Sequence, residues 1–319
     1  MLTERARHLV TRWKVPTSAL TVVAYNKRAQ EEVVARTADL PGLQVRTLNA
    51  LALAIVNGRP PFAPQAATWR TLDERDVRAM LGRLVTVPRK LNADPLAPWL
   101  DALSVARLGL ADPAHVEAQF GGDVKGFAAV FDTLRAQFAQ QRVLDFDEQI
   151  LRAIELLCAD PAARGAAQAA CRVLLVDEFQ DLTPAHLLLV RLLSGGGGHV
   201  FAVGDDDQTI YGYNGADPRW LIDFADWFPG AGDHPLEVNY RCPAGIVDAA
   251  DRLLRHNQRR VPKTIRAADG AEPGGWRALG GSDPVSTTVT AVQTALADGA
   301  ASDVAVLARV NVALVPVRV

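Results

Sequence analysis

Two clusters of carboxylates follow short apolar runs in the second half of this 319-residue chain. Asp177 and Glu178 come directly after the run 173–176, and the cluster 205–207 comes after the run 199–203. Such runs are typical of strands buried on both faces. In open α/β sheets, ligands bind beyond the carboxyl ends of the strands. Carboxylates grouped there suit hydrated Mg²⁺ beside phosphates, although a solvated acidic turn explains either cluster taken alone.

Three longer motifs contain or follow these carboxylates. Residues 177–181 read DEFQD, residues 204–211 read GDDDQTIY, and residues 239–242 read NYRC. In type, order and spacing they resemble the DExQD form of the Walker B motif, motif III and motif IV of UvrD/Rep-like superfamily 1 DNA helicases. The resemblance covers nearly the whole chain and is most specific over residues 173–260. It implies a RecA-like P-loop NTPase fold and ATP-dependent movement on DNA.

The resemblance also implies roles in ATP hydrolysis, which needs a metal ion on the phosphates, an oriented water and a cation at the γ-phosphate. Asp177 is the expected Mg²⁺ ligand, and Glu178 is the expected base that activates water. Gln208 matches the glutamine that senses the γ-phosphate. Arg241 matches an arginine finger and Tyr240 an aromatic side chain stacked on adenine, although an ordinary helix start also explains this pair. The expected cofactors are ATP and Mg²⁺.

A second set of residues matches the positions at which the family contacts DNA. Tyr213 stands where motif III carries an aromatic side chain that stacks on a base, and such stacking tolerates any sequence. The full set expected at the DNA comprises Asn26, Lys27, Thr47, Tyr211 and Tyr213. The expected partners are single-stranded and duplex DNA, with unidentified repair or recombination proteins and no membrane.

The charge distribution is mixed. A net charge of −2 argues mildly against a nucleic-acid-binding protein, since such domains are often basic. Two stretches are locally positive, however, because seven Lys or Arg residues lie in 1–36 and six lie in 251–266. A polar helix face explains either stretch alone. Together with the motifs, they favour surfaces that follow phosphates.

No GxxxxGK[ST] loop, the element that cradles ATP phosphates in these enzymes, occurs in the chain. None of its five lysines follows a glycine. The resemblance implies that this loop and the strand before it precede Met1, and that the stretch 304–311, which looks like motif IVa, precedes motifs V and VI. We therefore expect an internal part of a helicase. We also expect it to be inactive alone and to expose unpaired backbone groups along 174–176.

Strands and helices alternate around the motifs, which predicts an α/β fold with a parallel sheet. The run 20–24 is an expected buried strand. The expected domains are RecA-like motor domain 1A over 1–58 and 140–232, lacking its phosphate-loop part, a helical insertion 1B over 59–139 without a convincing strand, and the start of RecA-like domain 2A over 233–319.

The activity implied by the resemblance is that of a 3′–5′ DNA helicase in repair or recombination. Two alternatives stay open at this point: a non-enzymatic DNA-binding or scaffold subunit derived from a helicase, and the motor part of a helicase–nuclease. No apolar run approaches the roughly 20 residues that span a bilayer, and Met1 opens a charged helix without a signal-peptide core. The three cysteines lack metal-ligand spacing. A cytoplasmic location is therefore expected.

Overall fold

The computed structural model of the protein describes residues 1–86, 94–210, 212 and 215–317. The helices are α1 Leu2–Thr11, α2 Lys27–Arg36, α3 Leu48–Val56, α4 Glu74–Leu84, α5 Ala97–Leu108, α6 Pro113–Phe120, α7 Phe127–Gln141, α8 Phe146–Ala159, α9 Pro161–Ala170, α10 Pro184–Ser194, α11 Arg219–Ile222, α12 Phe224–Trp227, α13 Ala244–Leu254 and α14 Pro284–Asp298. The strands are β1 Leu20–Ala24, β2 Gln44–Thr47, β3 Arg70–Thr71, β4 Val143–Leu144, β5 Val173–Val176, β6 His199–Ala202, β7 Val238–Asn239 and β8 Arg266–Ala267. None of the helices in the described ranges combines the length and apolar character needed to cross a membrane.

Four strands form one parallel sheet in the order β2-β1-β5-β6. The register pairs Val22 with Val45 on one side and with Leu175 on the other, and Leu175 also pairs with Phe201. Because all four strands run in the same direction, their carboxyl ends meet at one edge of the sheet. The predicted α/β class and the predicted strands 20–24 and 173–176 are confirmed.

The central position of β5 corrects one expectation. Backbone groups along 174–176 were expected to be exposed, and this is wrong, because β1 and β6 pair with β5 on its two sides. Leu174, Leu175 and Val176 are fully buried. Among the described strands, β2 and β6 are the two edges of this sheet, and the residues of β6 are exposed or half-buried.

Both faces of the sheet are covered, which explains why its central strands are apolar at nearly every position. Successive side chains of a strand point to opposite faces. Leu174 and Val176 therefore pack into a core with α3, α8 and α10, whereas Val173 and Leu175 pack into a second core with α1 and α2. The sheet and its two helical layers fix the edge where the motifs lie.

Helices α4 to α7 build a separate apolar core in the stretch expected to be a helical insertion. Its fully buried members include Leu81, Leu103, Phe127, Leu134 and Phe138. The expectation that 59–139 contains no strand is wrong at Arg70–Thr71, which pairs with Val143–Leu144. Two residues are too few to show the alternation that marks a strand in a sequence.

The chain divides into two compact units, each described by itself. The first comprises Met1–His234 and Asn257–Pro262, and the second comprises Pro235–His256 and Lys263–Val319. The first unit contains the four-stranded sheet and the helices α4 to α7. The second contains α13, α14 and the parallel pair β7–β8. That Asn257–Pro262 belongs to the first unit was not predicted from the sequence.

Candidate active site

The loops that follow β5 and β6 are tied into the sheet by backbone hydrogen bonds. The amide of Asp177 donates to the carbonyl of Val23 at 3.0 Å. The amide of Phe179 donates to the carbonyl of Val203 at 2.9 Å, and the amide of Val203 donates to the carbonyl of Val176 at 2.8 Å. The two predicted carboxylate clusters therefore start from fixed positions at the same sheet edge.

The surroundings of the DEFQD motif disfavour the ionisation of Asp177 and Asp181. Burial raises the pKa of Asp177, and the neighbouring Glu178 carboxylate raises it further. Burial, followed by the charge of Glu178, raises the pKa of Asp181 to about 6. Its Oδ1 atom is buried and accepts no hydrogen bond from the described residues. A bound cation reverses this balance because it favours the ionised forms. The half-buried Asp177 carboxylate therefore fits a divalent metal ion, since Mg²⁺ takes oxygen ligands and needs only one or two protein carboxylates.

Glu178 adopts a backbone conformation that is unusual for its residue type. Its φ of 47° and ψ of 49° lie in the left-handed region. Such strain costs of order 1–3 kcal/mol and persists where the surroundings enforce it. Phe179, which follows, is fully buried and packs edge-on against Phe224 and Phe228. The buried ring thus holds the turn, and the turn sets the direction of the Glu178 carboxylate.

Gln208 lies in a short 3-10 helix at the end of β6 and is exposed. The carboxylate of Asp205 accepts hydrogen bonds from its Nε2 at 2.8 Å and from the amide of Asp207 at 3.2 Å. The amide of Asp205 donates to Oε1 of Gln180 at 3.0 Å, and Nε2 of Gln180 donates to Glu178 at 2.9 Å. The structure therefore connects Glu178 and Gln208 through Gln180, a residue to which the sequence analysis gave no role although it stands inside the DExQD motif.

Asp206 and Asp207 have a structural use that the sequence did not reveal. The carboxylates of 205–207 lie within 4.8 Å of one another, as a metal site would require. Asp206, however, accepts a hydrogen bond from the amide of Val261 at 2.8 Å. Asp207 accepts hydrogen bonds from Asn257 at 3.0 Å and from the guanidinium of Arg260 at 2.6 Å. These two carboxylates fasten Asn257–Pro262, and Asp177 stays the predicted metal ligand.

Comparison with known proteins places this site in a family. A sequence profile described as the UvrD/REP helicase N-terminal domain matches residues 1–229. The chain belongs to the UvrD/REP helicase family. ATP-dependent DNA helicase PcrA of Leuconostoc citreum is 28% identical over 279 residues, which is 85% of this chain and 37% of that protein.

Two Escherichia coli (strain K12) helicases are similar to a comparable extent. DNA helicase II is 29% identical over 306 residues, which is 92% of this chain and 42% of that protein. ATP-dependent DNA helicase Rep is 29% identical over 272 residues, which is 83% of this chain and 40% of that protein. The chain therefore spans about two fifths of the length of these relatives.

Three of the residues that match the DNA-binding positions of the family lie at the same sheet edge, because Asn26 and Lys27 follow β1 and Thr47 ends β2. Oδ1 of Asn26 accepts a hydrogen bond from the amide of Ala29 at 2.9 Å and caps α2. Oγ1 of Thr47 accepts one from the amide of Ala50 at 3.2 Å and caps α3. Capping by Asn and Thr is common, so both oxygens have a structural use that the sequence analysis did not consider.

Of the other three predicted DNA contacts, the structure describes Lys27 but not the two tyrosines. Lys27 is highly exposed, and its Nζ lies 3.9 Å from a carboxylate oxygen of Glu31. Tyr211 and Tyr213 lie outside the described residues. A contact between DNA and any of these side chains stays a prediction.

Several arginines of the two basic stretches form ion pairs. In the first unit Arg7 pairs with Asp39, Arg36 pairs with Glu32, and Arg259 pairs with Asp223. In the second unit Arg255 pairs with Asp251. For these arginines the contacts within each unit favour a structural role over the expected role at phosphates.

Tyr240 and Arg241 lie in the second unit, directly after β7, and both side chains are exposed, that of Tyr240 at 85%. Oδ1 of Asn239 accepts hydrogen bonds from the amides of Arg241 at 2.9 Å and Cys242 at 2.8 Å. This Asx turn projects the two side chains ahead of α13, which begins at Ala244. Their roles in nucleotide binding stay predictions.

Proposed function

We propose that the full-length protein is an ATP-dependent DNA helicase that moves 3′ to 5′ along single-stranded DNA and unwinds duplex DNA in repair or recombination. The observation that supports this proposal most directly is the hydrogen-bonded path at the sheet edge. It joins Glu178, the candidate base, to Gln208, the candidate γ-phosphate sensor. Relatives of similar sequence carry the name DNA helicase. A path of this kind suits an enzyme in which the presence or absence of the γ-phosphate changes the conformation of the loop that carries Gln208.

In this proposal Asp177 would hold Mg²⁺, and the ion would supply charge neutralisation on the phosphates. Glu178 orients the attacking water and accepts its proton. Gln208 donates to the γ-phosphate. On the family resemblance we assign Arg241 to the γ-phosphate charge and Tyr240 to the adenine ring.

The proposed DNA contacts are Asn26, Lys27, Thr47, Tyr211 and Tyr213. They combine backbone contacts at the ends of β1 and β2 with aromatic stacking, which gives affinity without sequence preference. The electrostatic part of such binding weakens steeply as salt rises.

We also infer that residues 1–319 do not turn over ATP by themselves. The chain has no Lys within a glycine-rich loop, and in P-loop enzymes that Lys and the loop amides hold the β- and γ-phosphates. Steady DNA-stimulated ATP hydrolysis by the purified 319-residue chain would contradict this inference.

The test of the proposed function uses the full-length protein, single-stranded DNA and forked duplexes with a 3′ or a 5′ tail. We expect ATP hydrolysis that DNA stimulates, and strand separation on the 3′-tailed duplex. Glu178→Gln should abolish steady turnover and leave only slow single-turnover hydrolysis, while nucleotide and DNA binding persist. Glu272→Gln makes the same change at an exposed position of the second unit and serves as the control.

Each contrary outcome identifies a different error. A folded full-length protein that binds DNA but hydrolyses no ATP would favour the scaffold alternative. Unwinding from the 5′ tail would overturn the polarity alone. ATP-dependent degradation of the DNA would favour the motor part of a helicase–nuclease.

A further inference from the structure

Gln180 is a buried amide side chain that uses both of its ends. The residue is 2% exposed. Its Nε2 donates to the Glu178 carboxylate at 2.9 Å, and its Oε1 accepts from the amide of Asp205 at 3.0 Å. One side chain therefore bridges the loop after β5 to the loop after β6.

The chemistry of the two partners permits a single orientation of this amide. A carboxylate accepts hydrogen bonds and a backbone N–H donates them. Rotating the amide by 180° would set Oε1 against the Glu178 carboxylate and Nε2 against the N–H of Asp205, and both bonds would be lost. Because the site is buried, water could not replace them, and the cost of each unmet group would be high. Gln180 thus holds one defined geometry.

The backbone around Gln180 is shaped for this bridge. A Cβ atom at position 204 would lie 2.5 Å from Oε1 of Gln180 and 3.1 Å from the amide nitrogen of Phe179. Glycine at position 204 therefore lets the loop after β6 approach the amide. On the other side, Glu178 holds a left-handed backbone conformation. Its carboxylate position consequently depends on contacts such as the one from Gln180.

We propose that Gln180 is a positioning residue for ATP hydrolysis, which fixes the Glu178 carboxylate and, through Asp205, the loop that carries Gln208 in one joint arrangement. This inference rests on the proposed function, in which Glu178 and Gln208 act on the terminal phosphate. Gln180 itself has no role in contacting ATP. Its loss should therefore slow the chemical step and leave nucleotide affinity nearly unchanged.

The test compares Gln180→Met, which keeps the side-chain volume and removes both hydrogen bonds, with Gln180→Glu, which keeps an acceptor for the amide of Asp205. Both are made in the full-length protein. Misplacement of a catalytic group by about 1 Å costs up to ~100-fold in rate, so kcat should fall by about 10- to 100-fold in each variant. Affinity for a fluorescent ATP analogue and for single-stranded DNA should change by less than about twofold.

A double-mutant cycle separates positioning from a general loss of structure. In the Glu178→Gln background, single-turnover hydrolysis should fall by less than about twofold when Gln180→Met is added, since residues that act as a unit are not additive. Gln149→Met is the matched control, because Gln149 is 1% exposed and donates to Oγ1 of Thr71 at 3.1 Å, outside the two loops. It should lower thermal stability without a selective loss of kcat.

Two results would overturn the proposal. One is a kcat for both Gln180 variants within about twofold of wild type, which would mean that the bridge is not needed for rate. The other is an equal fractional loss in the wild-type and Glu178→Gln backgrounds, which would mark Gln180 as structural only. Failure of the proposed function looks different, because the wild-type protein would then lack DNA-stimulated ATP hydrolysis or Glu178→Gln would retain it.

Discussion

The substitution Asp207→Ala removes the carboxylate that fastens Asn257–Pro262 to the first unit. In the wild-type protein this carboxylate accepts hydrogen bonds from Nδ2 of Asn257 at 3.0 Å and from the guanidinium of Arg260 at 2.6 Å. The side chain of Asp207 is 2% exposed and that of Arg260 is 14% exposed. After the substitution, the Arg260 charge stays mostly out of water without this partner.

The expected loss follows from that burial. Removing one partner of a buried ion pair costs about 3–5 kcal/mol, because the remaining charge is left uncompensated. Since Arg260 is slightly open to water, we expect a loss near the lower end, about 3 kcal/mol. Adding Arg260→Met to Asp207→Ala removes the stranded charge, so the double variant should recover about 1–2 kcal/mol.

Urea unfolding of the chain gives the free-energy changes, and hydrogen exchange locates them. The amide of Val261 donates to Asp206 at 2.8 Å, so it reports the attachment of the segment. A loss of about 3 kcal/mol should speed its exchange by about 100-fold, whether the segment opens alone or with the whole unit.

The control is an exposed ion pair of the same unit. Arg36 and Glu32 are 64% and 59% exposed, so Arg36→Met should cost less than about 1 kcal/mol. If Asp207→Ala costs no more than this control, and exchange at Val261 is unchanged, then the argument from burial is refuted.

Three further predictions test other parts of the molecule. Burial lowers the pKa of His186 to about 4. As the pH falls from about 6.5 towards 4, His186 therefore becomes protonated in the unfolded chain but not in the folded chain, and the stability of the fold decreases. In His186→Gln, the new side chain can still accept a hydrogen bond from the backbone at the start of α10. The Tm of this variant should fall less than that of the wild type between about pH 7 and 5, and an equal fall would contradict a lowered pKa for His186. Gly204→Ala should destabilise the chain by about 1–3 kcal/mol in urea unfolding, because the new Cβ meets Gln180, and wild-type stability would contradict this close approach. In the full-length protein, Lys27→Ala should weaken binding to single-stranded DNA and make the slope of log affinity against log salt less negative by about 0.7, as fluorescence anisotropy would measure. An unchanged slope would remove Lys27 from the DNA interface.

The parts of the fold that follow local rules could be predicted from the sequence. Strands 20–24 and 173–176 are apolar at nearly every position because helices cover both faces of the sheet. Helix α10 starts as local rules favour, with Thr183 as its cap and Pro184 in its first turn. The position of Asp177 and Gln208 at one sheet edge follows from the parallel order of the strands.

Other features depend on contacts between distant residues, which no local pattern encodes. Gln180 meets Asp205 across 25 positions, and Arg260 meets Asp207 across 53. The left-handed backbone of Glu178 has no signal in residue type, since Glu rarely adopts it. For Asn26 and Thr47 a local rule applied but was overlooked. Both residues match a family motif, and both also cap helices, as Asn and Thr commonly do.

The attachment of Asn257–Pro262 also has a consequence for synthesis on the ribosome. The ribosome synthesises the chain from the N-terminus to the C-terminus, and Arg260 is added 53 residues after Asp207. At about 5–20 residues per second, this gap lasts about 3–10 s. Most of the first unit can collapse within that time, but the loop that carries Gln208 receives these contacts only when the later segment arrives. Its final arrangement therefore comes late in the folding of the first unit, and a ribosome pause between residues 208 and 257 would prolong the incomplete state.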